Sequence, residues 1–322
     1  MPIIHALAAD VGGTNARLAW VEVEREGHSA PMVLAAQTYA CAAHQDLAAI
    51  LRQFLLDHPG RPEAVTLAVA GIVHGREVLN RNLPWRLLLD PLDELAGPAP
   101  LHLSNDFEAL ARATRWLSPE AGQELFGPEV QPEGPVLVLG PGTGLGAALR
   151  VPLARGERVV PTEAGQAGFA PATKVEAALL DLYRDTLGHV CAENLLSGPG
   201  LLRIYRGLGQ LQDRDAPADS PEAVGQAAVS GEDALAVKAV EVFWGALASI
   251  SANAVLTTGA FGGVLLAGGI LPRLMPCFDS AEFARRFTAK GAMAPVLERV
   301  PVRLIEHGQL GIVGAAMAVC QG

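Results

Sequence analysis

Apolar residues come in short runs through the first third of the chain. Ile3 to Ala9 is a short run, apolar but for His5, that predicts a strand. It ends at Asp10, turns through Gly12, Gly13 and Thr14, and re-enters an alternating run to Val23 that predicts a second strand. Val33 to Tyr39, Val65 to Ala70 and Leu101 to Ser104 predict further strands, and Leu47 to Leu56 carries its apolar residues at helical spacing. Strands alternating with helices indicate an α/β sheet. Pro135 to Leu139 and Ala147 to Val151 then repeat the strand–turn–strand pattern of the N-terminus. The rest is more helical: Lys174 to Thr186, Leu201 to Leu208, Ala234 to Leu256 and Gln309 to Val319. Segments 97–100, 128–134 and 210–221 are rich in Gly, Pro or polar residues and predict loops.

One apolar stretch invites a different interpretation. From Val242 to Pro272 no residue is charged, and a membrane helix needs only about 20 apolar residues. Gly259, Gly262, Gly263, Gly268 and Gly269 interrupt the stretch, and Ser251 and Asn253 add polarity. A buried helix to about Leu256, a turn, and a buried strand Val264 to Ala267 fit better, because strands covered on both faces show as unbroken apolar runs.

Composition narrows the function classes. At 322 residues the chain suits about two domains with sizeable cores. Its net charge is −10 and no Lys/Arg cluster stands out, which argues against nucleic acid as a partner. Cys41, Cys191, Cys277 and Cys320 lie far apart with no Cys-x-x-Cys, the pattern of reduced thiols in the cytoplasm. No basic leader precedes the first strand, so no secretory signal is expected.

The chemistry concentrates at the two repeated hairpins. Gly12, Gly13, Thr14 and Asn15 form the first tip; Gly142, Thr143 and Gly144 form the second, within Gly140 to Gly146. Glycine lets backbone N–H groups approach a ligand closely, and successive N–H groups in a turn make an anion-binding concavity. Asp10, beside the first tip only, offers a carboxylate for Mg²⁺, which binds through few carboxylates plus phosphates and waters. An ordinary tight turn would also accommodate these residues. There is no Gly-x-x-x-x-Gly-Lys-Ser/Thr and no Gly-x-Gly-x-x-Gly, so neither a P-loop nor a dinucleotide fingerprint is present. Asn105 and Asp106 follow a strand and precede the helical run Phe107 to Trp116. Asn105 suits an N-cap with Glu108 three residues on, and Asp106 suits the first turn. A carboxylate at a strand's carboxyl end also faces the crevice where α/β proteins bind ligands.

Taken together, Asp10 to Leu18, Asn82 to Trp85, Leu103 to Phe107, Gly140 to Gly146, Glu163 to Pro171, Leu196 to Leu201 and Phe261 to Pro272 resemble the bacterial glucokinases of the hexokinase and actin-like ATPase superfamily. They occur in that family's order and span nearly the whole chain. The resemblance implies an α/β protein with two ribonuclease-H-like domains and a ligand cleft between them. It implies a small domain over 1–105, joined by a C-terminal helix over 308–322, and a large domain over 106–307. It implies ATP with Mg²⁺, phosphorylation of glucose at the 6-hydroxyl as the first step of glycolysis, and a cytoplasmic homodimer. In that family's terms Asp106 accepts the hydroxyl proton. Asn82, Asn105, Glu163, Gln166 and Glu193 hold the sugar. Asp10, Gly12, Gly13, Thr14, Asn15, Gly142, Thr143, Gly144, Gly268 and Gly269 serve the nucleotide, with Asp10 reaching Mg²⁺ through water.

One departure stands out. The family's Gly-Glu-Gly-Gly-His stretch is here Thr162-Glu163-Ala164-Gly165-Gln166, so Gln166 replaces a His that contacts the sugar near carbon 1. Gln both donates and accepts, but its reach and charge differ. This leaves open a related hexose kinase of altered specificity, or a catalytically weak sugar-sensing regulator. A chaperone or filament on the same fold fits less well, because the sugar-loop residues are present.

Overall fold

In the computed structural model, β1 (Ile3–Val11) and β2 (Asn15–Glu24) form the N-terminal antiparallel hairpin, with Asp10 opposite Arg17. Residues 2–79, 83–118, 121–129, 132–306 and 308–320 are described. β3 (Met32–Ala40) extends the meander. After α1 (Leu47–Asp57), β4 (Ala64–Val69) returns parallel to β1. A small hairpin of β5 (Ile72–His74) and β6 (Glu77–Leu79) and the short α2 (Asp90–Ala96) precede β7 (Leu101–Asn105), which runs parallel to β4 and leads directly into α3 (Asp106–Ala113). The sheet order is β3-β2-β1-β4-β7.

Alternation along β1 explains why that run is apolar from Ala6 to Ala9. Leu7, Ala9 and Val11 point to one face, where they pack with Ile50, Leu51 and Phe54 of α1. Ala6 and Ala8 point to the other face. From Ala6 to Ala9 both faces are covered, so no polar position is left there.

The second half repeats the plan. β8 (Gln123–Phe126) is followed by β9 (Val136–Pro141), β10 (Leu145–Pro152) and β11 (Glu157–Thr162), an antiparallel meander like β1–β2–β3. α4 (Lys174–Leu187), α5 (Gly198–Leu211), α6 (Pro221–Ser230) and α7 (Ala234–Thr258) follow. β12 (Gly263–Leu266) then pairs parallel with β9. α8 (Leu271–Leu274), α9 (Ser280–Thr288) and α10 (Ala294–Leu297) lead to β13 (Val302–Leu304), parallel to β12. The order is β11-β10-β9-β12-β13-β8, the first sheet's arrangement with β8 added antiparallel at the edge. The protein is thus α/β with one strand motif used twice.

α7 is long and apolar enough to cross a membrane by length and composition, yet 78% of its apolar window is buried inside the protein. Asp233 caps its start, accepting from the N–H groups of Leu235 and Ala236, and Gly259 ends it in a left-handed turn at φ 69°. Phe243, Leu247 and Val255 of α7 join Tyr205 of α5 and Phe283 and Phe287 of α9 in one core.

The last helix, α11 (Leu310–Ala316), rejoins the first sheet on the side away from α1, where Ile312, Ala315 and Ala316 pack on Ala6, Ala8, Ala68 and Ala109. By packing, the chain divides into Met1–Ser118 with His307–Gly322, and Pro119–Glu306. The division falls after α3, later than the 105/106 boundary read from the sequence. Its cause is close contact between α3 and α11: a Cβ on Gly314 would overlap the carbonyl oxygen of Ala109.

Candidate functional site

In the first unit the hairpin tip is closed by Gly12 N–H donating to Asn15 O at 3.0 Å. Cys41 ties the next element to the tip through its N–H to Thr14 O at 2.8 Å and its thiol to Gly12 O at 3.4 Å. Gly12 and Gly13 are half-buried while Thr14 and Asn15 are exposed. A Cβ on Gly12 would meet only Asn15 O, at an ordinary 3.6 Å. Packing therefore does not require a glycine there. Asp10 is the last residue but one of the strand that leads into this tip.

Asn105 and Asp106 stand where β7 becomes α3, and the local chemistry is capping. Asn105 Oδ1 accepts from Phe107 N at 2.9 Å and Glu108 N at 3.1 Å, and Asn105 Nδ2 donates to Gly71 O at 2.9 Å. Glu108 does not close a capping box, because its carboxylate pairs with the buried Arg112 one turn on. Asp106 Oδ1 accepts from Phe107 N at 2.9 Å, which holds its half-buried carboxyl at the head of the helix. Trp85 donates its indole N–H to Cys41 O at 3.2 Å. Asn82 lies outside the described residues.

The second unit gathers more of the expected residues. At the second tip Gly142 N–H donates to Gly144 O at 2.8 Å, and a Cβ on Gly142 would meet nothing within 4 Å. Ser197 caps α5, and Gly198 N–H at its start donates to Gly142 O at 2.8 Å, so the Ser-Gly-Pro-Gly motif docks α5 on this tip. Because β12 runs beside β9, Gly268 and Gly269 emerge next to the same tip. Gly268 sits at φ 113°, and a Cβ there would overlap Pro141 O, so only glycine fits.

Glu193 binds this hairpin directly: its Oε2 accepts from Leu145 N at 2.8 Å. Burial, and then the charge of Glu193, hold the Glu163 carboxyl above the ordinary glutamate range. Two carboxylates near each other resist ionising together, and hydroxyl donors relieve that. Gln166 ends the 3-10 turn Ala164–Gln166. Its side-chain carbonyl accepts from the Cys191 thiol at 3.6 Å, and its backbone carbonyl lies 3.0 Å from His189 Nε2. With Oε1 engaged, the amide N–H groups of Gln166 remain to donate. Glu163, Gln166 and Glu193, together with the second tip and Gly268–Gly269, therefore form one constellation.

Among the described residues no group of three or more His, Cys, Asp or Glu could enclose a metal ion. A single carboxylate at Asp10 is nevertheless the donor set suited to Mg²⁺ carried on a nucleotide, since that ion keeps several waters and takes few protein ligands. Two residues that the sequence did not single out touch candidate side chains. Cys191 contacts Gln166, and nothing in its sequence neighbourhood announces that. Gly311 abuts Asp10, and glycine inside an apolar helical pattern was the available signal.

The glucokinase family model matches residues 7–322. A glucokinase-like protein of Xylella fastidiosa is 45% identical over 311 residues, 96% of this chain and 93% of that protein. A glucokinase of Paramagnetospirillum magneticum is 36% identical over 96% of each chain. The crystal structure of a glucokinase from an Antarctic psychrotroph is similar at a TM-score of 0.84 and 29% identity, covering 98% of this chain and 99% of the other. Twin glycine hairpins, an acidic pair beside the second, an aspartate heading α3 and these matches over nearly the full length agree: the chain belongs to the glucokinase family.

Proposed function

We propose that this chain transfers the γ-phosphoryl group of ATP to the 6-hydroxyl of glucose, giving glucose 6-phosphate and ADP. The observation that carries the assignment, beyond family membership, is the coupling of an acidic pair to a glycine hairpin: Glu193 accepts from Leu145 N while its charge bears on Glu163. Hydrogen bonds from hydroxyls to ionised carboxylates are the strong, charge-assisted kind, and a hexose presents such donors in abundance.

Phosphoryl transfer is mainly positioning and charge neutralisation. The tips at Gly12–Asn15 and Gly142–Gly144 hold phosphate oxygens with backbone N–H groups, and Gly268–Gly269 serve the adenosine side. Asp106 accepts the proton of the 6-hydroxyl as that oxygen bonds to the γ-phosphorus. The bond from phosphorus to the bridging oxygen breaks, and ADP leaves with the electron pair. Mg²⁺ bound to the nucleotide neutralises phosphate charge, and Asp10 would hold one of its waters. Asn105 keeps Asp106 in place by capping α3. Glu163, Glu193 and the Gln166 amide orient the sugar. The cytoplasm, where ATP is made and cysteines stay reduced, suits this reaction and the four unpaired cysteines.

A coupled assay of a hexose panel with MgATP tests the assignment. Glucose is expected to be phosphorylated at oxygen 6, and 1-deoxyglucose to bind more weakly because it lacks a partner for Gln166. A missing hydrogen bond of that kind costs about 0.5–1.5 kcal/mol. Turnover of another hexose in preference to glucose would shift the substrate assignment. Absence of ADP formation with every sugar would overturn it.

A further inference from the structure

We infer that Gly311 is a positioning residue for phosphoryl transfer: by presenting no side chain, it fixes where the Asp10 carboxylate stands. The inference rests on the assignment of Asp10 to the nucleotide-borne cation. Gly311 is the second residue of α11 and is buried. Its φ is not among the positive values that favour glycine, and glycine is the poorest helix former after proline. Backbone conformation therefore does not account for it. Space does. A Cβ at Gly311 would overlap Asp10 Oδ2, and would lie 2.6 Å from Cγ and 3.2 Å from Oδ1. The conflict is with all three atoms of the carboxylate at the end of the Asp10 side chain.

Neither partner can retreat. Asp10 lies on β1, which is paired with β2 on one side and β4 on the other. α11 is tied at its approach by Arg17, whose guanidinium donates to Gly308 O, and Arg17 is the residue facing Asp10 across the β1–β2 ladder. Two turns' worth of close packing follow, with Gly314 against the Ala109 carbonyl. An added methyl group is accommodated only by turning the Asp10 side chain out of its place. The final helix of the chain thus sets the carboxylate beside the first hairpin.

The test is a double-mutant cycle of Gly311→Ala and Asp10→Ala, read by the Mg²⁺ dependence of turnover, by calorimetric binding of MgADP and by the thermal midpoint of the ligand-free protein. Partners that orient a metal-holding group typically change metal affinity or activity about 10- to 100-fold. Gly311→Ala is expected to raise the Mg²⁺ requirement and weaken MgADP by about that factor, with the glucose KM and the thermal midpoint nearly unchanged. In the Asp10→Ala background, adding Gly311→Ala should change nothing. If Gly311→Ala fails to fold while the double variant folds, the same conflict with Asp10 is demonstrated. Equal losses in both backgrounds, or failure of both to fold, would overturn the inference alone. Asp10→Ala with an unchanged Mg²⁺ dependence would overturn the assignment of Asp10, and the inference with it.

Discussion

A carboxylate beside another carboxylate keeps its proton longer than it would alone, and Glu163 is in that position beside Glu193. Burial and the neighbouring charge raise its folded-state pKa above the unfolded value. Glu163 therefore contributes stability that is complete below the ordinary glutamate pKa and is lost as pH rises through its raised value. Sugar binding has the opposite sign, because hydroxyls donate to the ionised form. The glucose dissociation constant should fall as pH rises through the window above the ordinary glutamate pKa. Glu163→Gln should flatten that dependence and weaken glucose about tenfold, since bonds to charged groups contribute about 1.5–3 kcal/mol and the amide retains part of that. Calorimetric titrations of both proteins across pH check this. An unchanged slope in Glu163→Gln would remove Glu163 from the sugar site. At this scale the sequence was informative where one residue carries its own local logic. Asn105 caps α3 as its type and position suggest. The approach of Glu163 to Glu193 was not legible from pattern, because β10 and the 3-10 turns bring them together across the chain; only the resemblance paired them.

Among the elements, legibility followed burial. β4, β9 and β12, and β1 from Ala6 to Ala9, are covered on both faces and show as largely apolar runs, and the second part of α7 opens the chain's long uncharged stretch. β11 was not foreseen: Glu157–Thr162 is largely exposed and contains Pro161, as an edge strand can. β13 is three residues long, too short to establish a period. α2 opens on Asp-Pro and buries only Leu92 and Ala96, so its apolar stripe is thin. The glycines sort by what surrounds them, and the sorting is testable. Gly314→Ala forces a methyl into the Ala109 carbonyl, and should cost about 3 kcal/mol, the upper end of ordinary overpacking. Gly142→Ala meets no protein atom within 4 Å and should leave stability unchanged, while raising the ATP KM because its methyl occupies the approach to the N–H groups. Denaturant melts and ATP kinetics on the two variants check this. Loss of stability in Gly142→Ala with ATP binding intact would make the second tip a structural turn.

On the scale of the molecule, one strand motif occurs twice, and the repetition explains why a Gly-Thr turn between two strands appears at two places in the sequence. β1–β2–β3 with β4 and β7 matches β9–β10–β11 with β12 and β13, and each meander carries a Gly-Thr tip between its first two strands. Only the first copy has an aspartate at the end of its leading strand, and only the second has Glu193 on its hairpin. The same frame thus carries different side chains in its two copies: Asp10 and Asp106 lie in the first unit, and Glu163, Gln166 and Glu193 in the second. α11, far along the chain, packs back on the first sheet, so a residue of the C-terminal segment, Gly311, lies against Asp10. We propose that the protein phosphorylates glucose from MgATP with Asp106 as the base. Direct detection of glucose 6-phosphate from wild-type protein and from folded Asp106→Ala tests it. Product is expected from the wild type, at a rate about 10²–10⁴ lower in the variant, the usual loss on removing a general base. Near-wild-type product formation by Asp106→Ala would contradict it.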